Sequence, residues 1–248
     1  MGSSLYLRKI MKFIVKVNPI ILFASIAFIG ISASCSMENN PVAQCRKASY
    51  PYVKESASGK ANVGIEIRLN SNLMTAPPSY ALWAEFPDGR IETIYATCKA
   101  SLGYPDNIQN QPESLPVWYG VRSEEGLGPG DEELDAVTTA TPTQTTYTIN
   151  WEAKNVDPSD TVQLYLEANM PNDYNYYFTS ALGSNGQPSL IWNTSFQIQQ
   201  DRLQIVFPTR IVGRSDPRGK SADIYPDRNG ITSALNIIAG IDIKRLNQ

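Results

Sequence analysis

Three groups of side chains in this sequence have types and spacings that suit chemistry. Glu124-Glu125 and Asp131-Glu132-Glu133, with Asp135, flank the glycine-rich stretch Gly126–Gly130. Clustered carboxylates supply oxygen ligands for Ca²⁺ or, as a pair, the acid and base of glycosidic cleavage. Their spacing follows no calcium-loop pattern, and acid runs usually belong to solvated loops, so no metal site and no catalytic residue is assigned. Tyr174, Tyr176 and Tyr177 follow Pro171-Asn172-Asp173, a turn-forming run. Tyrosines near a loop are ligand-binding candidates, because exposed rings stack on sugars or on partner side chains. The third group is the cysteines, Cys35, Cys45 and Cys98.

The sequence contains no histidine. That excludes Ser–His–Asp and Cys–His hydrolases and removes the commonest transition-metal ligand. Net charge is −3, but residues 1–34 hold four bases (Arg8, Lys9, Lys12 and Lys16) and no acid. The rest has 17 bases against 24 acids, a net of −7. An acidic surface without a basic stripe repels phosphate backbones, so nucleic acid is not an expected partner.

Those four bases precede an apolar run, Ile20–Ile31, broken by Ser25 and Gly30 and followed by the small residues Ser32, Ala33 and Ser34. The pattern is that of a secretory signal peptide spanning 1–34, with Met1–Ile10 an extension ahead of Met11. Small residues before Cys35 resemble a bacterial lipobox, in which the cysteine is lipidated and becomes the new N-terminus. Ser32 stands where that motif usually has leucine, so cleavage after Ala33 is the alternative and an uncleaved anchor the third. The chain is therefore expected in the bacterial cell envelope, lipid-anchored to a membrane and facing the periplasm or the cell surface. With Cys35 lipidated, Cys45 and Cys98 remain as an even pair, either bridged in an oxidising compartment or left as separate thiols.

Asp135-Ala136-Val137-Thr138-Thr139-Ala140-Thr141 resembles the motif at which envelope electron-transfer proteins carry FMN esterified to threonine. Asp135, Thr138, Ala140 and Thr141 match, and Thr141 would be the acceptor hydroxyl. Thr139 replaces a glycine whose backbone freedom a β-branched residue lacks. The competing reading is a loop entering a strand, with the hydroxyls capping backbone groups.

These residues must be positioned by strands. Val63, Ile65, Ile67 and Leu69 alternate with more polar neighbours, the period of a half-buried strand. Tyr80–Phe86 and Arg90–Cys98 flank Pro87-Asp88-Gly89, a strong hairpin signal. Alternation returns in Thr145–Glu152 and Thr161–Ala168, with a turn at Asn155–Asp160 between them. Tyr174–Thr179, Leu190–Ile198 and Leu203–Phe207 continue the series. Leu115–Val121 is a short apolar stretch, and Glu132–Val137 fits one helical turn. ITSALNIIAGIDI, after Asp227-Arg228-Asn229-Gly230, reads as a short helix and a last strand. The alternating aromatics Trp83, Trp151 and Tyr165 are assigned to the core.

PSYALWAEFPDGRIETIY, LPVWYG, DAVTTATP, YTINWEAKN, QLYLEAN, GQPSLIW and ITSALNII, in that order over Val63–Ile243, resemble a family of predicted periplasmic bacterial proteins with a domain of unknown function. Its core is similar to the immunoglobulin-like domain of flagellar hook-capping proteins. The resemblance implies export and a sandwich, and no established activity. Fold class is expected to be all-β: an immunoglobulin-like β-sandwich over 62–248 with a short C-terminal helix, joined by a tether over 35–61. The expected function is a non-catalytic binding or accessory role toward an envelope protein or glycan. A redox accessory carrying FMN and a carbohydrate-binding module are the alternatives.

Overall fold

Val63, Ile65, Ile67 and Leu69 are buried while Glu66 and Arg68 between them reach solvent, so the two-residue period does place one face of an extended strand inside. The computed structural model describes residues 53–55, 60–70, 78–97, 114–124, 137–139, 145–157, 159–198 and 211–246. The segment 1–34 read as a signal peptide, all three cysteines, Asp135, Thr141, the acids from Glu125 to Glu133 and the Leu203–Phe207 run lie outside these residues.

Ten strands are present among the described residues: β1 (Val53–Glu55), β2 (Val63–Leu69), β3 (Ser79–Glu85), β4 (Ile91–Thr97), β5 (Val137–Thr139), β6 (Thr146–Trp151), β7 (Thr161–Asn169), β8 (Leu190–Gln197), β9 (Ile211–Arg214) and β10 (Ile238–Arg245). They form a four-stranded sheet, β1-β6-β2-β10, and a six-stranded sheet, β5-β4-β3-β7-β8-β9. Pairing is antiparallel except at the short outer strands β1 and β5. The fold is an all-β sandwich.

Pro87-Asp88-Gly89 does make the β3–β4 turn. Gly89 adopts φ +83°, its N–H donates to Phe86 O (2.9 Å), and Phe86 N–H donates to Arg90 O (2.9 Å). The positive φ explains the glycine.

Between the sheets lie β2 with Tyr147, Ile149 and Trp151 of β6, facing Leu82 and Ala84 of β3, Leu164 and Leu166 of β7, and Trp192 and Phe196 of β8. Burying each large apolar side chain contributes about 1.5–3 kcal/mol relative to exposure. The four-stranded sheet shows its other face to solvent, where Arg68 pairs with Asp242 across β2 and β10 (2.8 Å).

Part of the second face of the six-stranded sheet, around β3, is covered as well, and Leu115–Val121 is the reason. That stretch opens an α-helix, α1 (Pro116–Glu124), rather than adding to the strand series. Pro116 suits the first helical position, where its missing N–H costs nothing. Leu115, Val117 and Trp118 pack on Ala81, Trp83, Ala96 and Ile191, so β3 is buried on both sides through Ala84 instead of alternating. The cap of α1 comes from the sheet: Glu167, fully buried on β7, accepts the N–H of Trp118 (2.7 Å) and of Val117 (3.4 Å) and the hydroxyl of Ser189. A carboxyl there satisfies donors that every helix N-terminus leaves open.

Two further segments differ from the expected elements. Val137 belongs to the edge strand β5 rather than to a helical turn, paired in parallel with Tyr95 of β4. Tyr174–Thr179 forms no strand. The expected C-terminal helix is a single 3-10 turn, Ser233–Asn236, leading into β10.

Candidate functional site: a tyrosine pair on a pinned loop

The residues between β7 and β8 fold back on themselves, and the chemistry of their short polar side chains explains why. Asn172 sits at φ +61°, a conformation asparagine tolerates better than most residues. Tyr174 N–H then donates to Asn172 O (2.9 Å). Asn175 Oδ1 accepts the N–H groups of Tyr177 (2.9 Å) and Phe178 (2.8 Å). This side chain takes two backbone donors that a strand would give to its neighbour, so the segment becomes a turn.

The turn is fastened at both ends to the interior. Met170 before it and Phe178 after it are buried in the inter-sheet core. Its middle is fastened to the segment ahead of β10. Asn175 Nδ2 donates to Gly230 O (2.8 Å) and Thr232 Oγ1 (3.1 Å). The Asp173 carboxylate accepts Gln187 Nε2 (2.7 Å) and the Ser233 hydroxyl (2.8 Å), and Gln187 Oε1 accepts the N–H of Thr232 (2.6 Å).

Two tyrosines remain outside this knot. Tyr176 is 92% exposed and Tyr177 62%. Their rings meet edge to face, centroids 5.7 Å apart with planes at 89°, the arrangement an aromatic quadrupole favours. Gly230 adopts φ +76°, and a Cβ there would stand 2.6 Å from Cγ of Tyr177. The glycine thus lets the Tyr177 ring lie directly against the backbone. Tyr174 takes a different part: it is half-buried, and its hydroxyl donates to Ser184 O (3.4 Å). Of the three tyrosines singled out in the sequence, the structure brings Tyr176 and Tyr177 together and uses Tyr174 inside the loop.

The segment carrying Gly230 is itself held. Arg214, at the end of β9, makes a two-point contact with Asp227 (3.2 and 2.9 Å) and lies over the Tyr225 ring, 5.0 Å from its centroid. Hydrogen bonding from Arg214, opposed by partial desolvation, holds the Asp227 carboxyl below the usual carboxylate range. Arg228 and Asn229, the two residues before Gly230, are exposed. Exposed leucines also occur on the two flanking 3-10 turns, Leu182 on Ser180–Leu182 and Leu235 on Ser233–Asn236.

The other aromatics behave as their strand positions dictate. Trp83 and Trp151 are buried, and Tyr165 is half-buried, stacked on Trp83 with centroids 5.3 Å apart and planes at 7°. Thr138 lies on β5 opposite Ala96, while Asp135 and Thr141, grouped with it by resemblance to a flavin-attachment motif, are outside the described residues. Among the described residues no three Asp, Glu or Cys side chains gather as a metal site, and no helix is long and apolar enough to cross a membrane.

Of the residues that fix the tyrosine pair, Asp173 was named in the sequence as part of a turn, while Asn175, Gln187 and Ser233 were not singled out. The Asn-Asp-x-Asn spacing of 172–175 carries the turn signal, but its partners lie up to 60 residues away in the chain. Searches of protein-family models, of curated proteins and of solved structures each return no match to this chain.

Proposed function

We propose that this chain is an exported cell-envelope protein, lipid-anchored through Cys35, whose β-sandwich of immunoglobulin-like type binds a partner and catalyses nothing. The observation that carries the binding reading is the Tyr176–Tyr177 pair. Large apolar side chains exposed to water on a loop held by at least seven side-chain hydrogen bonds are costly to keep and cheap to use. Ligand contact needs no further ordering of that backbone, so the entropy cost of binding is reduced in advance. Contiguous exposed apolar patches are often functional. The leader and the lipobox-like run before Cys35 supply the address.

Two measurements test the reading. Intact-mass analysis of the mature protein from its native envelope should show diacyl or triacyl lipid on Cys35, and the same spectrum reads a flavin phosphate at Thr141 and a Cys45–Cys98 bridge. A soluble form beginning after Cys35 should be retained by isolated envelope material from its own cells, and Tyr176→Ala should release it. Retention indifferent to Tyr176→Ala would remove this surface from consideration.

A further inference from the structure

We infer that Tyr176 and Tyr177 form the stacking surface of a carbohydrate site that takes a neutral glycan whose pyranose hydroxyls are mostly equatorial. This rests on the binding reading above and names the ligand class for the same surface.

Size is the first argument. With Tyr176 almost wholly exposed and Tyr177 nearly two-thirds exposed, the rings offer on the order of 300 Å². A stable protein partner needs about 800 Å² on each side, whereas one or two sugar rings are covered by an area of this size. Shape is the second. A pyranose with equatorial hydroxyls turns its C–H bonds outward on both faces, and those faces are flat and apolar. Two aromatic planes at 89° make a corner: one ring takes the sugar face, and the other closes an edge and limits rotation.

The rim supplies the third argument. Arg228 and Asn229 are exposed and lead directly into Gly230, on which the Tyr177 ring rests. An amide offers both a donor and an acceptor and a guanidinium offers five donors, the groups that hydroxyls require around an apolar floor. Charge is the fourth. A net of −7 beyond residue 34 disfavours polyanionic glycans and anionic lipid surfaces at long range, which favours a neutral ligand.

The test is affinity electrophoresis of the same soluble form in native gels containing, one at a time, hydroxyethylcellulose, mixed-linkage β-glucan, xylan, galactomannan or polygalacturonate. At least one neutral polysaccharide should retard the protein. Tyr176→Ala should weaken that retardation about tenfold or more, the equivalent of one ligand contact of about 1.4 kcal/mol, and Tyr176→Trp should keep it. Asn229→Ala should weaken it less, and polygalacturonate should leave mobility unchanged. Tyr176 is 92% exposed, so folding of the alanine variant is checked simply by an unchanged thermal midpoint. Retardation by no neutral polysaccharide, or retardation that Tyr176→Ala leaves intact, overturns the inference. If envelope retention still depends on Tyr176 in that case, the binding reading stands with a protein partner. If retention is indifferent as well, both fall.

Discussion

The sandwich encloses a stack of three tyrosines, Tyr80, Tyr95 and Tyr147, with ring centroids 5.1 to 6.2 Å apart, while Tyr176 and Tyr177 stand edge to face in water. The side chains are identical and the aromatic contacts similar in length. In the stack the rings lie on strands β3, β4 and β6, whose geometry directs them between the sheets. Hydroxyl meets hydroxyl there, Tyr80 donating to Tyr95 at 3.3 Å. In the loop, backbone groups are taken by Asn175 and Asp173 is taken by Ser233 and Gln187, so no strand exists to turn the rings inward. The interior spends its aromatics on cohesion. The loop spends polar side chains on holding two aromatics apart from the interior.

That contrast can be broken from either side. The largest effect is expected for Tyr80→Ala, which empties the middle of a buried stack and should cost about 3–5 kcal/mol of unfolding free energy by denaturant titration. A loss below about 1 kcal/mol would mean that the stack is not part of the core. Gly230→Val should come next, at roughly 1–3 kcal/mol, because a β-branched residue is strained at φ +76° and its Cβ enters the Tyr177 ring. The same variant should displace Tyr177 and lower envelope retention; stability lost with retention intact would disconnect Gly230 from the surface.

Alkaline pH probes the buried stack with a smaller signal. Burial first, then the neighbouring Tyr147 and Tyr95, push the Tyr80 hydroxyl well above its ordinary value near 10. Unfolded tyrosine releases its proton near 10 while folded Tyr80 keeps it, so the unfolded state binds fewer protons and stability declines as pH rises beyond that point. Below it the contribution is fully present. Thermal midpoints of Tyr80→Phe should fall less steeply above pH 10 than those of the native chain, and equal slopes would assign the titration elsewhere. The smallest change in stability is expected for Tyr176→Ala, within about 0.5 kcal/mol, even though it should have the largest effect on binding. A large destabilisation would show that Tyr176 packs in solution and is not a free surface.

Strands whose second face meets water were legible in the sequence. β2 and β6 alternate because one face is wet, and the Asp-Gly turn between β3 and β4 is written in adjacent residues whose backbone needs are local. What faces a second covering layer was not legible. β3 has the near-continuous apolar run of a strand buried on both sides, and α1, the layer that makes it so, is short and is capped by a carboxyl 49 residues away, Glu167 to Trp118. In the sequence Glu167 looks like one more polar alternant of β7. Only the packed structure turns it into a helix cap.

The candidate site divides in the same way. The sequence by itself determined that tyrosines follow a turn-forming run and that histidine is absent, because residue type and short-range order suffice for each. Which tyrosines stay in water was decided by tertiary structure. Tyr174 turns toward Ser184, and Met170 and Phe178 anchor the turn in the core. Gly230, more than fifty residues downstream, is the surface on which Tyr177 lies. Hydrogen bonds between Asn175 and Gly230, and between Asp173 and Ser233, close loops of that length only after the sandwich has brought the ends together, so no local pattern announces them.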